Sequence, residues 1–247
     1  MKNLNSLVVQ EFSSPLAQKL YIEEAWAGLW GSEEILIKRY FKPKSKILDI
    51  GCGTGRTTIP LFKMGYDVVG IDITPMMIEN AKKIVQSKNL KINYKVGNAI
   101  NLKFENESFD NAIFSFNGWT QIPERENRQK ALNEVWRILK FGGYYIFTAH
   151  AREMRGFAFF WIQQWIKLFI LKPFGFRIDE IEFGDRFFTR EGDGTRFQKQ
   201  YIHIPSVKDV LRQIERAGLK LIYSGQGSQI SDKNQPEYPP MFYVCQK

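Results

Sequence analysis

One segment of the sequence combines residue types that could hold a small ligand against bare backbone. An apolar run, Ile47 to Ile50, leads into glycines at positions 51, 53 and 55 and then into a helical pattern. Glycine adopts a positive φ without strain and lets a ligand approach the main chain. Asp72 ends the next apolar run, 21 residues after Gly51, where an open α/β sheet carries a carboxylate for ribose hydroxyls. The pattern predicts a nucleoside-binding site.

Two residues of this segment argue against a dinucleotide as the ligand. Arg56 occupies the position at which the dinucleotide fingerprint has its third glycine. Asp49 lies two residues before the first glycine, and its charge would repel a pyrophosphate but would attract an ammonium group. S-adenosylmethionine is a nucleoside that carries such a group, whereas a nicotinamide oxidoreductase would need the pyrophosphate site.

The elements that must position these residues follow from length, composition and periodicity. The chain has 247 residues, of which 44% are apolar and 25% charged, so one large domain with an ordinary core is expected. From residue 45 to 148 short apolar runs alternate with helical patterns, which is typical of βαβ units and a parallel sheet. Strands are predicted at 47–50, 67–71, 91–96, 110–116, 144–148, 219–224 and 241–245, and helices at 57–64, 76–87, 128–139 and 207–217.

Four segments together resemble the class I S-adenosylmethionine-dependent methyltransferases, over roughly residues 33 to 150. They read ILDIGCGTGR, VVGIDITPMM, FDNAIFSFN and ILKFGGYYIF. The resemblance implies a Rossmann-like, doubly wound α/β fold with helices on both faces of a seven-stranded sheet. That sheet would be mostly parallel, with an antiparallel last strand and an insertion after strand five.

We expect one methyltransferase domain with four parts. These are an N-terminal helical cover (1–44), a cofactor-binding core (45–150), a substrate-side insertion (151–200) and the last helix and strands (201–247). In the cover, Trp26 and Trp30 are spaced to share one helix face, and together with Tyr21 they could close over the cofactor.

The resemblance also implies roles for individual residues toward S-adenosylmethionine. Asp49 would reach the methionine ammonium, Asp72 would accept both ribose hydroxyls, and Asn98 stands where the family commonly has an acidic residue that binds the adenine amino group. The predicted cofactor-binding residues are Asp49, Gly51, Cys52, Gly53, Gly55, Asp72, Ile73, Met77, Asn98, Ala99, Ser115 and Phe116.

Methyl transfer from a sulfonium is an in-line displacement that mainly demands alignment and exclusion of water. A general base helps when the acceptor is a hydroxyl or a carbon acid, and His150 and His203 are the candidates. The Phe- and Trp-rich insertion favours a small apolar or aromatic acceptor, because its binding energy would come from area removed from water.

The formal net charge of +9 keeps an RNA or other macromolecular methyltransferase as an alternative. Its basic residues are spread along the chain except for a cluster, Lys38 to Lys46, that precedes strand one. This cluster would lie at the amino edge of the sheet, away from the ligand, so nucleic acid is disfavoured. A non-catalytic protein that binds S-adenosylmethionine is the other alternative, and the chain could act as a monomer or a homodimer.

The apolar window of the chain, its first residues and its few cysteines and histidines bear on membrane binding, location and metal binding. The most apolar window, residues 157 to 171, is too short and too polar to span a bilayer, and it predicts a buried or interfacial helix. Peripheral membrane contact therefore stays open. No signal peptide is recognised in the first residues, so a cytoplasmic protein is expected. With two cysteines and two histidines, no metal site is predicted.

Overall fold

A computed structural model describes residues 4–188 and 200–247 and has a seven-stranded sheet at its centre, in the order β3-β2-β1-β4-β5-β9-β8. The neighbours among β1 to β5 are parallel, and β9 runs antiparallel to both β5 and β8. The predicted fold class, a Rossmann-like sheet with an antiparallel last strand, is therefore confirmed. The strands are β1 Lys46–Ile50, β2 Asp67–Asp72, β3 Asn93–Val96, β4 Phe109–Phe114, β5 Leu139–Ala149, β6 Asp185–Phe188, β7 Gln200–His203, β8 Lys220–Gln226 and β9 Met241–Gln246.

Helices cover both faces of this sheet, as the continuous burial of β1 from Ile47 to Ile50 requires. Along β1, Ile47 packs with the α3 residues on one face, while Leu48 packs with α6 and α8 on the other. The helices are α1 Leu4–Phe12, α2 Pro15–Glu24, α3 Gly31–Tyr40, α4 Thr58–Lys63, α5 Pro75–Ser87, α6 Arg125–Ile138, α7 Ala158–Ile166, α8 Val207–Arg216 and α9 Gly227–Ile230. A 3₁₀ turn, Gly118–Gln121, follows β4, and a π-helical segment, Lys167–Leu171, continues α7.

The expectation that Trp26 and Trp30 share a helix face is wrong. Helix α2 ends at Glu24, and Gly28 (φ 80°) turns the chain before α3 begins at Gly31. Trp26 is left exposed beside lysines, whereas Trp30 is buried. Helical spacing was misleading because a residue with positive φ lies between the two side chains.

The predicted boundary between α6 and β5 also needs correction. The strand begins at Leu139, directly after the helix, rather than at residue 144, and Gly142 and Gly143 lie in an irregularity within it. A Cβ on Gly143 would lie 2.4 Å from the carbonyl oxygen of Asp110, so only glycine fits against β4 at this point. The glycines are thus explained by close approach of two strands.

The region after β5 carries α7, the π-helical segment and a separate two-stranded antiparallel sheet of β6 and β7. Residues 189–199 of the predicted insertion lie outside the described residues. Strand β7 packs against α1 and against the 3₁₀ turn after β4. Across the described part of the chain, no helix has the length and apolar character needed to cross a membrane.

Trp119 supplies a test of the core. It is fully buried beneath β5, its ring lies 5.5 Å from that of Phe147 at a tilt of 55°, and its Nε1 donates to the carbonyl oxygen of Arg128 at 3.3 Å. We expect Trp119→Ala to lower the free energy of unfolding by about 3–5 kcal/mol in urea titrations, because it opens a large cavity. The matched change at exposed Trp26 is expected to cost less than about 1 kcal/mol. Equal losses would contradict this description of the core.

Candidate active site

The glycine loop after β1 has the backbone conformation that its composition predicts. Gly51, Gly53 and Gly55 have φ values of +62°, +54° and +111°. A Cβ on Gly51 would lie 2.6 Å from the ring of Phe114. The loop therefore presents bare main chain at the carboxyl edge of the sheet, where open α/β sheets bind their ligands.

A cleft of about 850 Å³, including its open mouth, lies at this edge. It begins at the ends of β1, β2 and β4 and extends beneath the N-terminal helices. The predicted residues that line it are Gly51, Gly53, Asp72, Ile73, Met77, Asn98, Ala99, Ser115 and Phe116. Those that do not line it are Asp49, Cys52, Gly55, His150 and His203.

Asp72 is held in the cleft by the main chain. Its Oδ2 accepts a hydrogen bond from the N–H of Gly53 at 3.0 Å, and its Oδ1 accepts one from the N–H of Thr74 at 2.8 Å. Burial raises the pKa of Asp72, although these two hydrogen bonds oppose the shift. Each carboxylate oxygen can accept a second hydrogen bond, so the side chain is oriented to receive a pair of hydroxyls.

Asp49 lies behind the glycine loop and is almost fully buried. The hydroxyls of Thr57 and Thr58 both donate to its Oδ2 at 2.6 Å, which ties the end of β1 to the start of α4. Its Oδ1 is buried with no hydrogen-bond partner among the described residues. Burial raises the pKa of Asp49 to about 6, against the threonine hydrogen bonds that lower it.

Arg56, the residue that replaces the third glycine, forms a buried ion pair with Glu33 of α3. Its two terminal nitrogens lie 2.7 Å and 2.9 Å from the Glu33 carboxylate, a bidentate arrangement. Arg56 also donates to the carbonyl oxygen of Gly28 and to the hydroxyl of Ser115 at the end of β4. Glu33 in turn accepts the N–H of Trp30 at 2.7 Å. One guanidinium thus joins the glycine loop, β4 and the N-terminal helices.

Aromatic rings cover the cleft from the N-terminal side. Tyr21 of α2 lies 3.5 Å from the position of a Cβ on Gly53, and the hydroxyl of Thr54 donates to its carbonyl oxygen. Phe116 stacks on Trp30 with ring centroids 5.5 Å apart, and Arg56 lies 4.5 Å from the Trp30 ring. The cover therefore packs on the same arginine that pairs with Glu33.

Phe116 adopts a positive φ of 54°, which is uncommon for a large side chain. Asn117 follows with a φ of 57°, and a Cβ on Gly118 would lie 2.1 Å from Phe114. This tight turn after β4 directs Phe116 into the cleft. Such strain is concentrated at ligand sites when the surroundings hold it.

Asn98 lies at the predicted adenine edge and forms a local turn. Its Oδ1 accepts a hydrogen bond from the N–H of Ile100 at 3.1 Å. The amide nitrogen is left to donate, and the oxygen keeps one lone pair. Asn98, which stands where the family commonly has an acidic residue, therefore helps to shape the loop after β3.

The far end of the cleft is apolar and was missed by sequence reasoning. Its lining includes Val8 and Phe12 of α1, and Ile122 and Pro123 after the 3₁₀ turn. Nothing in the spacing of α1 marks it as a lining element, because its helix carries apolar residues on more than one face. The cleft therefore combines a polar end beneath Asp72 with an apolar end beneath α1.

His203 lies on β7 and is paired with Asp185. Its Nδ1 is 2.9 Å from Oδ1 of Asp185, which also accepts the hydroxyl of Tyr201 at 2.9 Å. Burial lowers the pKa of His203, and hydrogen bonds from His203 and Tyr201 lower the pKa of Asp185 despite its burial. The pair holds a neutral imidazole whose Nδ1–H donates to the carboxylate, leaving Nε2 as an acceptor.

Glu182 completes a group with Asp185 and His203 in which ligand atoms lie within 4.8 Å of one another. Arg128 donates to Glu182 at 2.8 Å, so the carboxylate of Glu182 is already paired with a guanidinium. His150 follows the end of β5, is half-buried and lies outside the cleft lining.

Glu11 is a second carboxylate that sequence reasoning did not identify. It lies on α1 between the lining residues Val8 and Phe12, is 6% exposed, and its Oε2 has no hydrogen-bond partner among the described residues. Burial raises its pKa to about 7, partly offset by a hydrogen bond from the main chain of Tyr201. The sequence around Glu11 does not distinguish it from the other acidic residues of the N-terminal helices, because what sets it apart is its burial in the folded protein.

Comparison with known proteins agrees with this geometry. A family model described as a methyltransferase domain matches residues 47–143. A demethylmenaquinone methyltransferase of Bacillus cereus is 30% identical over 187 residues, which cover 73% of this chain and 72% of the relative. A demethylmenaquinone methyltransferase of Symbiobacterium thermophilum is 32% identical over 127 residues, 49% of each chain, so the match spans about half the length of that relative.

Among solved structures, an S-adenosylmethionine-dependent methyltransferase from Methanosarcina mazei aligns with a TM-score of 0.69 at 24% identity. The alignment covers 89% of this chain and 98% of the other, and it shows the shared fold. Together, the matches place this chain in the class I S-adenosylmethionine-dependent methyltransferases.

The residues of the cleft fit the cofactor of this family, S-adenosylmethionine. Asp72 is oriented by two main-chain N–H groups and has capacity left to accept hydroxyls, and the loop at Gly51 and Gly53 offers main chain where a side chain would obstruct. Asn98 and Ala99 line the next part of the cleft, beside Ile73 and Met77. The donor and acceptor set is that of a nucleoside site, with apolar surface for a flat base.

The buried ion pair yields a test with its own control on the same helix. We expect Glu33→Ala to lower the free energy of unfolding by about 3–5 kcal/mol, because it leaves the Arg56 guanidinium buried without its carboxylate partner. The neighbouring change Glu34→Ala breaks an exposed pair with Lys38 and is expected to cost about 0.5 kcal/mol or less. Chemical denaturation of both variants measures the difference, and similar losses would contradict the role given to Glu33.

Glu11 predicts a specific dependence of stability on pH. With a folded-state pKa raised from 4.5 to about 7, the native state must ionise a buried carboxyl as pH rises through this window. The loss of stability caused by ionising buried Glu11 is absent below pH 4.5, the ordinary pKa of the carboxyl, and complete above the raised pKa of about 7. Glu11→Gln removes it, so we expect the variant to match wild type near the acidic end of the window and to be more stable by up to about 3 kcal/mol above it.

Denaturation midpoints measured across this range check the prediction. Glu23→Gln, at an exposed position on α2, serves as the control and should leave the pH profile of stability unchanged. A Glu11→Gln variant that follows the wild-type profile at every pH would show that Glu11 ionises normally.

Proposed function

We propose that this chain transfers the methyl group of S-adenosylmethionine to a small apolar or aromatic acceptor by in-line displacement. The observation that carries the proposal is the continuity of the cleft. It runs from the oriented carboxylate of Asp72, past Phe116, to an apolar end formed by Val8, Phe12 and Ile122. A nucleoside and a flat apolar molecule could share it with their reacting atoms aligned.

The relatives narrow the acceptor class. Both relatives described above are named demethylmenaquinone methyltransferases, whose acceptor is by name a quinone. The aromatic and aliphatic lining beneath α1 supports a planar, apolar ring in this chain as well. We therefore propose a quinol-type aromatic acceptor.

The cofactor, when bound, supplies a methyl group already activated on a sulfonium. The task left to the protein is to orient both molecules and exclude water, which lowers the barrier by fixing the line of attack. Asp72 would hold the ribose and the loop at Gly51 and Gly53 would support the methionyl part, while Tyr21 and Phe116, whose ring centroids lie 6.3 Å apart, would cover the bound molecules. The turn that holds Phe116 with positive φ keeps its ring at the junction between the two ends.

A carbon or hydroxyl acceptor must also lose a proton. We propose Glu11 as a base: it does not itself line the cleft but lies on α1 next to the lining residue Phe12, and its pKa of about 7 suits proton transfer near neutral pH. His203, oriented by Asp185, and His150 remain proposals for the same role from the insertion side and from the end of β5. A shift of the acidic limb of the kcat profile in Glu11→Gln, absent from His203→Asn, would assign the role to Glu11.

The macromolecular alternative is weaker on geometric grounds. Lys38 and Arg39 lie in the last turn of α3, and Lys46 begins β1, so the basic cluster is at the amino edge of the sheet. The cleft lies beyond the carboxyl edge. A nucleic acid held by this cluster would lie on the opposite side from the methyl group.

A pair of aspartates at opposite ends of β2 tests the proposal. We expect Asp72→Asn to weaken S-adenosylhomocysteine binding at least tenfold in calorimetry, because a charge-assisted hydrogen bond to a hydroxyl is lost. Asp67→Asn, at the exposed amino end of the same strand, should leave affinity unchanged.

Radiolabelled S-adenosylmethionine is then incubated with a naphthohydroquinone that lacks its ring methyl, or with transfer RNA. Label in the extracted hydroquinone, reduced in the Asp72→Asn variant, supports the proposal. Label in the RNA would support the macromolecular alternative, and binding of the cofactor without transfer to either would contradict the acceptor class proposed here.

A further inference from the structure

The helix after β5 has its apolar side turned away from the protein. Its outward residues are Phe159, Ile162, Trp165, Ile166, Phe169 and Ile170, all of them exposed. Phe159 is 73% exposed and Trp165 is 49% exposed. A helix on the surface of a globular protein normally shows the opposite arrangement, with apolar residues inward and polar residues outward.

The inward side of this helix is anchored by specific contacts. Trp161 and Leu168 are buried, and the indole N–H of Trp161 donates to the carbonyl oxygen of Glu153 at 2.8 Å. Gln164 is also buried, donating to the carbonyl oxygen of Asp185 at 2.6 Å and accepting the N–H of Gly184 at 3.0 Å. The buried amide of Gln164 fixes which side of the helix faces the protein, so the outward apolar side is part of the fold.

Flanking segments extend the same surface. Met154 and Phe157 precede α7, and Phe174 and Phe176 follow the π-helical segment; each of these side chains is more than half exposed. Together with the outward residues of the helix they form a contiguous stretch of sequence, which we name the aromatic surface. Large exposed apolar patches are uncommon on proteins that act alone in water and mark contact with another apolar phase or partner.

The charged side chains around the aromatic surface favour an anionic partner. Between residues 154 and 178 there are four basic side chains, Arg155, Lys167, Lys172 and Arg177, and no acidic one. A second copy placed against the aromatic surface would bring these cations together, at an electrostatic cost. A bilayer that contains anionic lipids would accept the aromatic residues among its acyl chains and the cations at its headgroups.

We propose that the aromatic surface is a docking site for an anionic lipid bilayer. The helix would lie in the plane of the membrane, with Phe159 and Trp165 inserted and Lys167 at the level of the headgroups. Its inward side connects through Gln164 and Asp185 to β6 and β7, and β7 packs against α1, which lines the apolar end of the cleft. Docking would therefore bring the acceptor end of the cleft to the side of the protein nearest the membrane.

Co-sedimentation of the full chain with vesicles tests the proposal. Vesicles of phosphatidylcholine alone are compared with vesicles of equal parts phosphatidylcholine and phosphatidylglycerol. We expect the chain to pellet with the anionic vesicles. The Phe159→Ser/Trp165→Ser double variant should bind at least tenfold more weakly, and removing one charge, as in Lys167→Gln, should weaken binding about fivefold.

Phe141→Ser is the matched control, because Phe141 is 77% exposed but lies outside the aromatic surface. Calorimetry with S-adenosylhomocysteine checks that each variant is folded, and Phe174→Ser, in an exposed loop position, replaces the double variant if the latter fails to fold.

Two results would overturn the proposal. One is that wild type does not pellet with anionic vesicles; light scattering that then shows a dimer abolished by Phe159→Ser/Trp165→Ser would identify a second copy as the occupant. The other is equal pelleting of wild type and the aromatic variants.

Discussion

The buried ion pair between Arg56 and Glu33 is the constraint on which the cleft depends. A guanidinium in the interior is tolerated only when its donors are paired, and here Glu33, the carbonyl oxygen of Gly28 and the hydroxyl of Ser115 pair them. Those partners come from the N-terminal helices and the end of β4, while Arg56 itself belongs to the glycine loop. Three segments far apart in sequence must therefore meet at one point before the charge is satisfied.

The carboxylates near the glycine loop differ in role because their surroundings differ. Asp49 accepts two threonine hydroxyls behind the loop and secures α4, Glu33 balances a buried cation, and Asp72 is oriented by main-chain N–H groups toward the cleft. Glu11, with no such partners for Oε2, keeps a raised pKa. The sign and strength of each interaction follow from burial and hydrogen bonding rather than from residue type.

Local patterns were sufficient to predict the sheet, because alternating apolar runs and the glycine loop encode strand ends directly. Asp72 and the three glycines fall at the predicted ends of β1 and β2 for that reason. Contacts between distant segments were not predictable in the same way. Trp26 and Trp30 satisfied a helical spacing that Gly28 interrupts, and the lining residues of α1 carry no local signal because the cleft they face is formed by other elements.

The inverted helix α7 and the ion pair of Arg56 illustrate the same principle at two places in the fold. In each case a buried polar group, Gln164 or Arg56, fixes the orientation of aromatic residues around it. Hydrophobic burial alone would favour turning the aromatic residues of α7 inward. Specific hydrogen bonds therefore decide which apolar surfaces line the cleft and which face outward.

The most direct test of this account is the affinity for S-adenosylhomocysteine of the double variant Glu33→Gln/Arg56→Met, measured by titration calorimetry. Neither residue lines the cleft, and the double change leaves no buried unpaired charge. If the ion pair aligns the N-terminal helices with the glycine loop, the folded variant will bind at least tenfold more weakly than wild type. Wild-type affinity in a folded variant would contradict the account.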